Sequence, residues 1–431
     1  MIKQALPQAG SQPAPQRILY GRIWRWHFFA GLLVAPIAVL LAITGAIYVF
    51  APYIENFIDD GINAHSKVFD GRVLSADEQV SKALKSHANA ELIQYILPRM
   101  DDLSAQIDVR LVDGETLRLW VNIYSGEVLN EQAPSDRITE TIRKLHSQLL
   151  NGDIGRFMVE LAASWVVILI ITGCYLYWPR NRRWREVFLP RIRSLSGRKQ
   201  MHALHGAVAS WSAIFILLFI FSGLPWTQVW GEGLNRIQMA AGVHPVAQEF
   251  TGSLKPKPST VENIVSLQSI VDGIVNEQLA PPITIKPPKL GGVWTVRNTN
   301  SDLSKCMTLH YDQWTGEELM RIDFASKHWF QRLVDYGVSL HMGHLFGVFN
   351  HIFAVLLALG VIIIAITGPI MWWQRRPQGQ LAAPPMPNNK HIAGGVVTLI
   401  IGLGIFLPMA GVSMILVALI DKILMRFSRF S

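Results

Sequence analysis

Charge is scarce in this chain of 431 residues: Asp, Glu, Lys and Arg together make up 16 % of it, and cysteine occurs only twice. Cys174 lies in an apolar run and Cys306 in a polar segment, so no intrachain disulfide is expected. No G-x-G-x-x-G follows a strand to open a helix, and there is no P-loop, which leaves nicotinamide, flavin and ATP sites without support. An H-E-x-x-H zinc motif and a G-x-S-x-G nucleophile elbow are also missing. The first apolar run, 28–50, is not followed by a small-residue cleavage site, so it is expected to remain as a helix.

What fills the chain instead is apolar. Half of the residues are hydrophobic and 14 are tryptophan, as in a polytopic membrane protein with sizeable parts outside the bilayer. The net charge of +8 is unevenly placed. Residues 1–26 carry four Lys/Arg and no acid, and residues 180–199 carry eight against Glu186 alone. Residues 51–140 hold sixteen acids against eight bases. This is the positive-inside pattern, with the basic segments in the cytoplasm and the acidic one outside, and it argues against a nucleic-acid partner.

The hydropathy pattern divides the chain in order. A cytoplasmic tail (1–26) leads to a first span (27–50), an outer α+β segment (51–140) and a second span with an outer helical extension (141–178). A basic loop (179–201), a third span (202–226), a second outer α+β segment (227–335) and a fourth span (336–374) follow. After a loop (375–390), a last apolar run (391–421) contains Pro408 and reads as one kinked or re-entrant helix before the tail (422–431). Within the outer segments, SADEQVSKALKSHA and VENIVSLQSIVDGIVNE read as helices. AQIDVRLV, TLRLWVNIY, GGVWTVRN and CMTLHYD read as strands, YSGEVL as a turn with a short strand, and WTGEEL as a turn.

An internal repeat organises these pieces. His146 precedes Thr172 by 26 residues and His341 precedes Thr367 by 26; the same offset carries Gly173 onto Gly368 and Trp178 onto Trp373. His27 and His202 each begin H-x-x-x-G, and spans one and three end in Thr44-Gly45 and Ser222-Gly223. The chain is therefore read as two parallel copies of helix, outer segment, helix. The repeat places His27 and His202 at the cytoplasmic ends and His146 and His341 at the outer ends. Two equivalent imidazoles facing across a pseudo-twofold axis would ligate one haem iron from both sides. The alternative is that they are wet interfacial groups bonded at helix ends. His205, His344 and His351 have no repeat counterpart and stand as groups that support the ligands from behind, substrate-side groups or alternative ligands. The remaining histidines (His65, His87, His244, His310, His328, His391) read as surface or loop residues. On a continuous helix His146 would lie roughly 16 Å outside its apolar run, which breaks at NGDIG and GVFN would shorten. Glu160 inside span two is a candidate buried functional acid, the tryptophans beside arginine are interfacial anchors, and the hydroxyl-Gly pairs suggest close helix packing.

The stretches RWHFFAGLLVAPIAVLLAITGAIYVF, LHSQLLNGDIGRFMVELAASWVVILIITGCYLYWPR, MHALHGAVASW and LHMGHLFG with ITGPIMWWQRR resemble the PepSY-associated transmembrane family, also called iron-regulated membrane proteins. The resemblance covers nearly the whole chain. It implies a four-helix bundle from two parallel repeats, plus a C-terminal membrane helix and two periplasmic PepSY-like α+β domains. It also implies a bacterial inner-membrane location and similarity to ferric-siderophore reductases that bind two b-type haems. Matched motif by motif, the haem ligands implied are His27, His202, His146 and His341. Electrons would come from quinol or another donor and reduce a ferric siderophore or other ferric chelate, releasing Fe(II). A membrane-anchored PepSY module acting on a protease, and a siderophore transporter, are the other functional classes in view.

Overall fold

The computed structural model describes residues 15–63, 72–99, 104–180, 183–243, 254–256, 264–277, 279–289, 292–376 and 394–427. His65, His244 and His391 lie outside these residues. The chain divides into two compact units: Met1–Ile43, Ser147–Glu232 and Val355–Ser431 form the first, and Thr44–His146 and Gly233–Ala354 the second.

The first unit is helical. Among the described residues four helices are long and apolar enough to cross a membrane: Ile18–Tyr48, Gly152–Tyr177, Gly197–Trp226 and Val348–Trp373. They lie within α1 (Pro15–Tyr48), α5 (Gly152–Tyr177), α7 (Gly197–Gly223 and the turn after it) and α11 (Val348–Trp373). Phe28 on α1 packs on Trp372 of α11, Gly31 meets Leu169 of α5, and Gly360 of α11 meets Val208 and Ser212 of α7. Leu33, Ile214 and Ile405 are mostly exposed, while Glu160, Ser164 and Thr367 are buried. This apolar-out, polar-in distribution suits a lipid solvent. Arginines ring one end: Arg25 lies over Phe29, Arg180 over Tyr20 and Tyr175, and Arg375 over Trp24. Such aromatic and basic belts sit at the headgroup level.

The last apolar run is neither straight nor merely kinked. It forms α12 (Gly394–Phe406) and α13 (Pro408–Phe427), which fold back on each other at the fully buried Leu407. A Cβ at Gly404 would sit 3.2 Å from the Gly411 Cα, whereas seven residues of straight helix separate by about 10 Å. The proline and the paired glycines permit this turn. The indoles of Trp230 and Trp165 hold it by donating to the Phe406 carbonyl and to Ser413.

The second unit carries one antiparallel eight-stranded sheet in the order β4-β3-β2-β1-β5-β6-β7-β8. The first outer segment supplies β1 (Glu91–Ile96), β2 (Ser104–Arg110), β3 (Thr116–Asn122) and β4 (Val128–Gln132). The second supplies β5 (Ile283–Lys286), β6 (Val293–Asn298), β7 (Met307–Asp312) and β8 (Glu318–Asp323). The two α+β segments expected as separate domains thus share one sheet, joined where Tyr95 and Ile96 of β1 pair with Ile285 and Thr284 of β5. An unpaired strand edge is a ready template for another strand, and each half covers the other's edge.

One face of the sheet packs on α3 (Ala76–Leu84) and α9 (Leu267–Asn276) through Val80, Ala83, Ile107, Val109, Ile270 and Val296. The helices cap each other reciprocally. Asp77 accepts from the Leu267 and Gln268 backbone N–H groups, and the Gln268 side chain accepts from Ala76. On the β1–β4 side, the opposite face is covered by α2 (Ala51–Asn63), whose Asp59 bonds Gln106 and whose Asn63 accepts from Ser104. Arg137 ion-pairs with Glu55 and Asp59 and lies over the buried Trp120 ring.

Candidate functional site

The membrane-helix histidines occupy a recurring arrangement. On α1, His27 Nδ1 lies 2.9 Å from Thr172 Oγ1 of α5. On α7, His205 Nδ1 lies 2.9 Å from Thr367 Oγ1 of α11. In the second unit His146, on α4 (Ile138–Gln148), has its Nδ1 3.0 Å from Thr44 Oγ1. The glycine after each threonine sits against the same ring. A Cβ on Gly173 would come 3.2 Å from His27 Cε1, one on Gly45 3.0 Å from His146 Cε1, and one on Gly368 3.9 Å from His205 Cε1.

Proton accounting fixes the tautomer at two of these sites. Thr172 Oγ1 donates to the Ile168 carbonyl at 2.7 Å, and Thr367 Oγ1 donates to the Ile363 carbonyl at 2.7 Å. A hydroxyl has one proton, so each can only accept from the imidazole. His27 and His205 therefore carry the proton on Nδ1 and keep the Nε2 lone pair for another partner. Metal-ligating histidines show this arrangement, with one nitrogen donating to an orienting group and the other free for the metal.

The seat on Thr367 is taken by His205, one turn after the predicted His202. The ring of His202 packs instead on Tyr177 at 5.5 Å. The spacing carries this signal, since Ser222 follows His205 by 17 residues as Thr44 follows His27 by 17.

In the second unit the His146 and His341 rings face each other with centroids 6.2 Å apart and planes at 68°. His341 ends α10 (Trp329–His341), and His146 lies two residues before the end of α4. The breaks fall just ahead of the expected NGDIG and GVFN: α4 stops at Gln148, followed by Leu149 and Leu150 in the left-handed region (φ 49° and 55°) before α5 begins at Gly152, and α10 is separated from α11 by Gly343 and Gly347, both with positive φ. Left-handed leucine costs about 1–2 kcal/mol per residue, so this break is held by its surroundings. A cavity of about 220 Å³ is walled by Tyr48, Glu55, Thr139, Glu140, Met342 and His344.

His351 is 6 % exposed and boxed by the Phe50 and Tyr53 rings at 5.4 and 5.5 Å. Its Nδ1 lies 2.8 Å from the Gly347 carbonyl, so it donates there, and Nε2 is buried without a hydrogen-bond partner. Glu160 is a cap, accepting from the backbone N–H groups of Val229 and Trp230 where α8 (Val229–Ala240) begins. Of the histidines expected at the surface, His87 pairs with Glu131 at 3.0 Å and His328 caps α10. His310 is fully buried in β7, with Nδ1 3.1 Å from Thr295 Oγ1. His310 lies within CMTLHYD, already read as a strand, but that strand is buried on both faces instead of alternating.

Long apolar helices with a polar interior, imidazoles on their inner faces and an appended antiparallel sheet define a helical membrane protein equipped with potential metal ligands. The profile of the PepSY-associated TM region matches residues 24–375, and the chain belongs to that family. No curated protein gives a match.

Proposed function

We propose that this protein is a di-haem oxidoreductase of the bacterial inner membrane that passes electrons outward to a ferric siderophore or other ferric chelate and releases Fe(II). His27 and His205 would hold one b-type haem and His146 and His341 the other, with His202, His344 and His351 outside the ligand set.

The observation that carries this reading is the facing pair. His146 and His341 stand with ring centroids 6.2 Å apart, so the two imidazoles would be the residues to hold one metal between them. The donor chemistry agrees, because His27 and His205 present an Nε2 lone pair while Nδ1–H is anchored on threonine. Haem held by these histidines would supply one-electron transfer. The threonines hold the rings in orientation, and the apolar walls of the helices keep water away.

Quinol is the proposed donor. It yields two electrons and two protons on oxidation, so each quinol reduces two ferric chelates. Ferrous iron is then released, because oxygen-donor chelators hold it more weakly. The cavity walled by Tyr48, Met342 and His344 is proposed as the approach for the acceptor, since Met342 adjoins His341 and Tyr48 lies one turn from Thr44. The fold-back at Leu407 supports a cytoplasmic N-terminus and periplasmic sheet. Because α12 and α13 fold back on each other, the end of α13, which carries Lys422 and Arg426, would return to the side on which α12 begins, in keeping with the positive-inside pattern.

Anaerobic assay of the purified protein with a ferrous trap and several ferric siderophores tests the activity. Reduction driven by a reduced quinol analogue supports it. Uptake of intact chelate into vesicles without reduction indicates a transporter instead, and a protein active on neither is a binding module.

A further inference from the structure

The hydroxyl-Gly pairs near the ends of the spans were expected to serve close helix packing, yet the atoms nearest their glycines include imidazole atoms. Gly173 meets His27, Gly45 meets His146 and Gly368 meets His205. The threonine before each glycine bonds the Nδ1 of the same histidine, at 2.9, 3.0 and 2.9 Å. Within the first repeat the exchange is mutual. The chain of α1 presents His27 to the pair on α5 and offers its own pair, Thr44-Gly45, to His146 of the preceding helix α4.

We infer that Thr44-Gly45, Thr172-Gly173 and Thr367-Gly368 are imidazole seats, in which threonine is a positioning residue that fixes Nε2 as the ligating nitrogen and tunes its donor strength, and glycine clears room for the ring. This rests on the haem reading above.

Each seat has two parts. Thr172 and Thr367 already donate to carbonyls one turn back, at Ile168 and Ile363, and this polarises the oxygen that accepts the imidazole N–H. An imidazole that gives up hydrogen-bond density at Nδ1 is a stronger donor at Nε2, and a stronger donor favours ferric over ferrous iron. The hydroxyl therefore holds the reduction potential down. Valine is nearly isosteric with threonine but cannot accept, whereas serine can. A methyl at Gly45 or Gly173 would press on the ring at 3.0–3.2 Å, while the 3.9 Å at Gly368 leaves room.

The test is a spectroelectrochemical titration of full-length protein in nanodiscs, with low-spin electron paramagnetic resonance on the same samples, for T172V, T172S, T367V and T44V. T172V and T367V are expected to raise the midpoint of the same one of two haem waves and to shift its resonance. T44V should move the other wave, and T172S should stay close to wild type. Where a valine variant loses haem, retention in the serine variant reads the same way, since loss of an orienting partner weakens metal binding by about 10–100-fold. The inference is overturned if the valine variants keep wild-type midpoints and resonances, or if T172S changes as much as T172V. Wild-type protein that binds no haem overturns the functional reading itself, so the two failures are distinct.

Discussion

At the scale of single residues, the direction of a proton does most of the chemical sorting. His27 and His205 give Nδ1–H to a threonine whose own proton is committed elsewhere, which leaves one defined lone pair each. His202 follows the same motif in sequence, and its ring packs on Tyr177. Accordingly H205A is expected to lose one of two haems, and H202A to keep both, as measured by the pyridine haemochrome content per polypeptide; the reverse result would restore His202 as the ligand. Glu160 accepts two backbone N–H groups at 2.8 and 2.9 Å while 1 % exposed. Leaving those donors unpaired costs about 1–3 kcal/mol, so E160A should melt below wild type and E160Q, which keeps an acceptor oxygen, should lie between them. Equal melting of all three would remove the capping role. The sequence showed the histidines and the 26-residue spacing plainly. It hid the choice between His202 and His205 because the two are one turn apart on the same helix, and only the hydroxyl across from them separates the two.

At the scale of elements, strands reveal how much a flanking proline can conceal. The four strands with clear alternation, β2, β3, β6 and β7, are legible from their sequence. β1 and β5 are not, because ITIK is framed by proline runs and ELIQYI carries its polar residues irregularly. Those two strands join the halves of the sheet, and without them the halves read as two separate domains. The S-A-D-E sequence forms a capping box. In α3 the Ser75 hydroxyl accepts from Glu78 N–H and Glu78 accepts from Ser75 N–H at 2.8 Å. The Ser75 backbone, Arg72 and the Ser75 hydroxyl together hold the Glu78 carboxyl down to about 2. A depressed carboxyl contributes its full stability above its ordinary value of 4.5, and that contribution fades as pH falls toward about 2. Thermal unfolding of wild type and E78Q should therefore differ at pH 6 and converge as the pH drops below 4. A difference that grows on acidification would contradict the capping account.

At the scale of the whole molecule, two copies of one plan account for the helices, the sheet halves and the paired imidazoles, while the departures from the plan mark where the copies differ. His344 and His351 have no equivalents in the first copy, whose corresponding positions hold Leu149 and Arg156. The α12–α13 hairpin is likewise an addition after the second copy, legible as a long apolar run but not as a hairpin, since a buried turn at Leu407 looks like more of the same apolar sequence. The central claim is that the repeat-related imidazoles hold two haems that can be reduced and reoxidised. The absorption spectrum of the purified full-length protein, recorded before and after dithionite, tests it most directly. The expected result is a Soret band that shifts on reduction, sharp α and β bands of a low-spin species, and two haems per chain. A protein that expresses and folds with haem available yet shows no such band, or a band that dithionite leaves in place, would contradict the claim.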